Sequence, residues 1–306
     1  MAEEKALDFS HLDKVYFPAA GFTKGDVLDY YRTVAPQLLP HLKNRPLTLE
    51  RYPEGVDADS FYQKNAPSYF PDWLRTVAVT YERAGKTVHH PLVDDEAGLL
   101  YLVNLGTITF HTFLSRQQDV EHPDILVIDV DPAGDEPSGN GSGGSRPPTD
   151  PPENERRMFA QAREATLILR EELRTLQMDP LLKTSGKKGL HLALPLDRTR
   201  THAEVRNSLV ELFERLVARH PALLTRELRK EKRRGRVYLD TLRMALGATL
   251  VPPYVVRATP YASVSMPITF AELEDVKTAR EFTILNAPSR LAEKGDLWAG
   301  LVSKRS

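Results

Sequence analysis

The chain has no cysteine, which rules out disulfides, thiolate zinc sites and thiol nucleophiles together. It has no long apolar run. The most apolar stretch, GLLYLVNLGTITF at residues 98–110, is too short for a membrane span and is interrupted by Asn104. The amino terminus, MAEEKALDFSHLDK, is acidic and lacks the apolar core of a secretory signal. Net charge is nearly absent, at −1 over 306 residues, so overall charge gives no reason to expect a polyanionic partner. No repeat of fixed period occurs. These absences point to a soluble cytoplasmic protein without a membrane partner. A hydrophobic content of 41% and a charged content of 27% suit one large domain or two intimate subdomains.

Charge is unevenly spread. Residues 132–155 carry a net −4, which leaves about +3 on the remainder. That segment is rich in Gly, Pro, Ser and acid. Such a composition buries too little apolar surface to order itself, so it reads as a disordered insertion at about 133–154. The opposite extreme is RELRKEKRRGR at 226–236. It reads either as a solvated helix with i,i+4 ion pairs or as a patch for an anion.

Periodicity gives mixed α/β content. Thr23 and Asp26 have capping-box spacing ahead of Val27, Tyr30, Tyr31, Val34 and Leu38, so a helix starts there, and Pro36 predicts its break. RPLTLERYP reads as a strand and SFYQKNAP as a loop. RTVAVTYERAGKTVHHPLV reads as a hairpin turning at Ala84-Gly85-Lys86. EAGLLYLVNLGTITF reads as a buried helix and a shorter element. Beyond the insertion, Phe159, Ala162, Leu169, Leu173 and Leu176 share one helical face. GLHLALPL, GRVYLDTL and ATLVPPYVVRA follow as strands, with an amphipathic helix over 201–221.

The chemistry begins at ILVIDVDP, residues 125–132. Alternation places Asp129 and Asp131 on one strand face, roughly 7 Å apart at Cα, and Pro132 ends the strand with both at its mouth. Such carboxylates either converge on one or two cations or form an ordinary Asp-Pro strand exit. The stretch KTSGKKGLHLALPL, residues 183–196, gathers Ser185, Lys187, Lys188 and His191 around two glycines. This is the composition of an anion site, most simply for a triphosphate, or of a solvated Gly-rich turn. It is not a Walker A loop, because the spacing between its glycines is wrong. Ser185 and Lys188 match the Ser-x-x-Lys spacing of penicillin-binding enzymes, but the Ser-Asp-Asn and Lys-Thr-Gly partners are missing. Asp240, in RVYLDTL, sits among apolar residues and requires a partner, either a metal or one of Arg233, Arg234 and Arg236. PPYVVRATP offers Arg257 at a strand end.

The order Asp-x-Asp, Ser-x-x-x-x-x-His, Asp resembles the signature of the archaeo-eukaryotic primase superfamily. LDKVYFPAAGFTKGDVLDYYRTVAPQLLPHLKNRPLTLERYPEGVD, FYQKNAP, VIDVDP, KTSGKKGLHLALPL, KRRGRVYLD and PPYVVRATPYASVSMP resemble the polymerase domain of the bacterial ligase D family over roughly residues 7 to 300. That resemblance implies an α+β primase-type catalytic core, with two intimate subdomains of mixed and antiparallel sheets flanked by helices. It also implies a template-directed nucleotidyltransferase that fills gaps and extends ends in non-homologous end joining and accepts ribonucleotides. A stand-alone primase and an end-binding scaffold with vestigial chemistry are the alternatives.

Residue by residue, the resemblance assigns Asp129, Asp131 and Asp240 to two divalent ions, Mg²⁺ or Mn²⁺. His111, Ser185, Lys188, His191 and Arg257 would hold the incoming nucleoside triphosphate. Lys14 and Lys24 would take the 5′-phosphate of a gapped or broken DNA end. Phe61 and Tyr62, followed by Lys64, would pack against bases. The sequence departs from the family in its long insertion, in His11 where Asn is usual, and in DTLRMALGATLVPP, where the family has Asp-Tyr/Trp-x-Gln-Asn. No ligase or phosphoesterase sequence accompanies it, so joining would need a separate ligase and an end-binding protein.

Overall fold

The computed structural model of the chain describes residues 7–82, 85–134 and 151–302, and among these short strands and five helices build the fold. A hairpin of β1 (Val15–Phe17) and β2 (Phe22–Thr23) leads into α1 (Lys24–Leu42). The expected capping box is formed: Thr23 and Asp26 satisfy each other's backbone N–H groups. The expected break at Pro36 does not occur, and α1 runs through both Pro36 and Pro40. Both prolines lie on the exposed side, where water can satisfy the carbonyls they leave unpaired. Val27, Tyr31, Val34, Leu38 and Leu42 anchor the opposite face.

A four-stranded sheet follows, in the order β13 (Thr249–Leu250), β7 (Thr107–Phe113), β3 (Leu47–Arg51), β4 (Phe61–Gln63). The strand β4 lies in the stretch expected to be a loop. It is three residues long, with Phe61 and Tyr62 exposed, so it lacks the alternating burial that marks a strand in sequence. The expected hairpin is β5 (Thr76–Tyr81) with β6 (Lys86–Pro91); Ala84 of its turn lies outside the described residues. Between β6 and β7 runs the buried helix α2 (Glu96–Asn104).

The second large sheet has the order β11 (Leu224–Thr225), β12 (Val237–Asp240), β8 (Ile125–Asp131), β10 (Leu190–Pro195), β9 (Leu181–Thr184), β14 (Pro267–Ile268). All its pairings are antiparallel except β11 with β12. The helices α3 (Glu153–Thr175), α4 (His202–Arg219) and α5 (Ala287–Lys294) complete the fold, which is α+β as expected. Leu176, expected on the buried face of α3, instead follows the helix and is exposed. The basic stretch 226–236 forms only a short 3₁₀ turn at Lys230–Lys232 rather than a helix.

Residues 135–150, most of the acidic insertion, lie outside the described residues. Its carboxyl end is not part of a loop, because α3 starts at Glu153 and Glu155 is buried against Arg280. No helix among the described residues is long and apolar enough to cross a membrane.

One buried charge cluster ties the two sheets together. Asp124, just before β8, accepts from Arg45 at 2.6 and 2.8 Å and from Arg116 at 2.7 Å. Arg45 precedes β3 and Arg116 follows β7. The side chains of Arg45 and Asp124 are 1% and 0% exposed, so each depends on the other for solvation.

Candidate active site

Cross-strand register aligns four ionisable residues. Lys183 on β9 faces His191 on β10, His191 faces Asp129 on β8, and Asp129 faces Asp240 on β12. Directly opposed residues share a sheet face, so the row is continuous. Asp131, two residues along β8, points to the same side at the strand's mouth. Gly189 passes so close to β8 that a Cβ there would lie 2.1 Å from the carbonyl oxygen of Val130.

The acids are held at high tension. Burial and the neighbouring Asp129 carboxylate push the Asp131 carboxyl up to about 7. Burial opposes ionisation of Asp129 too, yet its carboxyl stays below the usual range beside His191 and Arg243. His191 is pushed down to about 4 by burial and by Lys183, so it is neutral at pH 7. Its Nε2 lies 3.3 Å from Asp129 Oδ1 without an aligned hydrogen bond, and that oxygen has no other hydrogen-bond partner. Arg243 Nε donates to Asp129 Oδ2 at 2.8 Å and stands 3.6 Å from Asp240 Oδ2. The ion-pair partner of Asp240 is thus Arg243, not one of the arginines at 233, 234 or 236. No group of three His, Asp or Glu side chains among the described residues is arranged to hold a metal ion.

Facing the acids is the β9–β10 loop. Its backbone N–H groups at Lys187, Lys188 and Gly189 donate to Ser185 Oγ at 3.1, 3.1 and 3.0 Å. They turn inward onto the serine, which leaves side-chain cations to face an anion. Lys188 Nζ reaches the Gly134 carbonyl at 3.0 Å. Arg257 donates to the Ser185 carbonyl at 3.2 Å, while its buried Nε has no hydrogen-bond partner. Gly186 adopts a φ of +72°, and a Cβ there would meet Arg257 at 2.6 Å and the backbone of Val264 and Ser265 at 3.0 and 3.1 Å, a position that only glycine fills without strain.

The opposite wall comes from the four-stranded sheet. His111 on β7 lies 3.2 Å from Glu50 on β3, and Glu50 also accepts from Tyr52 at 2.7 Å. Burial would raise the Glu50 carboxyl, but His111, Tyr52 and the charge of Lys187 bring it down to about 2. Tyr62 on β4 stands opposite Glu50 and packs edge-on to His111. Phe61 lies under the Arg51 guanidinium, and Lys64 is exposed beyond it. Tyr62, His111, Asp129, Asp131, Ser185, Lys188, His191, Arg243 and Arg257 line one cavity of about 300 Å³.

The structure therefore brings together all the expected nucleotide residues with Asp129 and Asp131, and sets Asp240 immediately behind them. Lys14 and Lys24 lie elsewhere. Lys24 is buried and donates to the Ser10 carbonyl at 2.6 Å, and Lys14 pairs with Glu54 at 2.6 Å. The first N–H groups of α1 are taken by the carbonyls of Lys14 and Leu12, so they do not point freely at an anion. Glu50 and Arg243 were not anticipated. A signal for Glu50 exists: Thr48 and Glu50, like Thr109 and His111, alternate with apolar residues, as a polar strand face turned inward would. Lys230 and Arg233 of the basic stretch also line the cavity rim.

Comparison with known proteins agrees with this geometry. The sequence profile of the LigD primase-polymerase domain matches residues 23–139 and 149–298; the gap between the two matched segments, residues 140–148, falls within the expected insertion. The multifunctional non-homologous end joining protein LigD of Mycobacterium bovis is 31% identical over 296 residues, covering 97% of this chain. The bifunctional LigD of Bacillus subtilis is 32% identical over 294 residues, covering 94%. This chain spans only 37% and 43% of those two proteins. The polymerase domain from Mycobacterium tuberculosis ligase D, solved in complex with DNA, superposes with a TM-score of 0.85 at 28% identity, covering 99% of this chain and all of that one. A buried acid row facing a cationic loop, a profile matched over most of the chain and a shared fold agree: the chain belongs to the LigD primase-polymerase domain family.

Proposed function

We propose that this chain is a template-directed nucleotidyltransferase that fills gaps and extends broken ends of DNA from nucleoside triphosphates, ribonucleotides among them. The observation that carries this reading is one cavity with buried carboxylates on one wall and Lys187, Lys188 and Arg257 on the other. A triphosphate bridges such a pair of walls: its anionic oxygens face the cations, and its metal-binding side faces the acids.

Asp129, Asp131 and Asp240 fit hard divalent ions. All three offer oxygen donors and no thiolate is present. Asp129 keeps an oxygen without a hydrogen bond, and burial together with the neighbouring Asp129 carboxylate raises the Asp131 carboxyl. When bound there, Mg²⁺ or Mn²⁺ supplies charge stabilisation for the attacking and leaving oxygens. The protein does the rest. Lys188 and Arg257 neutralise the phosphates, Ser185 fixes the loop that carries them, and neutral His191 stands between Asp129 and Lys183. Glu50 holds His111 in one orientation at the sugar end of the cavity. Tyr62 and Phe61, with Lys64, offer apolar faces and charge for unpaired bases at the gap. The test is primer extension on 5′-phosphorylated gapped DNA with Mn²⁺ or Mg²⁺, comparing ribo- and deoxyribonucleotides. Template-matched addition is expected. Failure to extend with any metal and nucleotide would refute the reading.

A further inference from the structure

Arg243 comes from the stretch where this sequence departs from its family's wording after the third aspartate, and nothing above gives it a role. It sits on a single 3₁₀ turn, Leu242–Met244, directly after β12. Met244 anchors that turn in the core, and its carbonyl lies 3.1 Å from His202 Nδ1. The backbone is therefore fixed while the arginine side chain, 41% exposed, reaches sideways into the acids. Its Nε lies between Asp129 Oδ2 at 2.8 Å and Asp240 Oδ2 at 3.6 Å, which is where an ion shared by those two carboxylates would stand. A half-exposed side chain on a rigid turn can leave that position without unfolding anything.

We infer that Arg243 is a resident counter-ion of the acid row, which occupies the place of a divalent cation between Asp129 and Asp240 and is displaced when the cation binds. Arg243 is a positioning residue here. It holds the Asp129 and Asp240 carboxylates aimed at one point before metal arrives, and it weakens metal affinity by competing for the same oxygens. The inference rests on the proposed metal role of the three aspartates.

The test needs neither DNA nor nucleotide. Mn²⁺ alone is titrated into the unmutated chain, Arg243→Gln, Arg243→Lys and Asp129→Ala, and free Mn²⁺ is read by its electron paramagnetic resonance signal. Arg243→Gln should bind Mn²⁺ on the order of tenfold to a hundredfold more tightly, the factor that one charge-assisted hydrogen bond is worth, and Arg243→Lys should lie between it and the parent. In EDTA, Arg243→Gln should also melt lower than the parent and recover more on adding Mn²⁺. If the parent binds Mn²⁺ and Asp129→Ala does not, while Arg243→Gln binds equally or more weakly, the counter-ion inference is overturned and the metal role survives. If Mn²⁺ binds none of the four, or binds Asp129→Ala as well as the parent, the metal role fails and this inference falls with it.

Discussion

Replacing Asp124 by Asn tests how the buried charge cluster holds the site together. Asp124 is fully buried and receives three guanidinium hydrogen bonds of 2.6 to 2.8 Å from Arg45 and Arg116. The substitution is nearly isosteric, so it leaves no cavity. It leaves two guanidinium groups without their counter-charge, one of them 1% exposed. Breaking such a pair costs roughly 3–5 kcal/mol, a fifth or more of the ~5–15 kcal/mol that stabilises a typical domain. For a chain of this length the thermal midpoint should fall by roughly 5–8 °C. Burial would raise the Asp124 carboxyl, but Arg45 and Arg116 hold it below its ordinary value. Its contribution is therefore complete above the unfolded value, near pH 4, and fades as pH falls through the folded one. The gap between parent and variant should be widest at neutral pH and close in strong acid. Calorimetry of both proteins from pH 3 to 8 measures it. A midpoint loss under 2 °C at pH 7, or a gap that widens in acid, would show that the cluster is not a structural tie.

Asp129→Ala, Asp131→Ala and Asp240→Ala should each abolish nucleotide addition while leaving affinity for gapped DNA within about twofold; a variant that extends primers at the parental rate would remove that residue from the assignment. Gly189→Ala should disrupt the loop and lower the midpoint, because its methyl meets the Val130 carbonyl at 2.1 Å, and an unchanged melt would contradict that close approach. Glu50→Gln should weaken nucleotide binding several-fold and leave gapped-DNA affinity alone, since it frees the His111 ring; equal nucleotide dissociation constants would show that the pair is idle. Lys14→Ala should reduce any preference for a 5′-phosphate over a 5′-hydroxyl end, with the preference shrinking as salt rises; equal binding of the parent to both ends would end that assignment.

The parts that were legible in the sequence are those where one local rule dominates. Strand alternation put Asp129 and Asp131 on one face, and the Thr23–Asp26 spacing marked the start of α1. What escaped depends on distant packing. Pro36 is tolerated because the opposite face of α1 is anchored in the core, which no local window contains. Phe61 and Tyr62 are strand residues only because β3 lies beside them. Arg243 reads as an ordinary surface arginine until β12 and β8 bring Asp240 and Asp129 beneath it. Lys14 and Lys24 were legible as residues but not as charges, since Glu54 and the Ser10 carbonyl already occupy them.

The row from Lys183 to Asp240 has a consequence for how a preparation of this protein can go wrong. Its members come from four separate strands, and each joins the row only because side chains alternate along a strand with a period of two. Shifting β8 by one residue against β10 would send both Asp129 and Asp131 to the opposite face and put Val130 in their place. Asp129 and Asp131 leave that face together, never one alone. A misassembled molecule should therefore be wholly silent rather than sluggish. In a partly refolded sample the number of working molecules should fall while the turnover of each stays constant, and counting competent molecules by a single-turnover burst would separate the two.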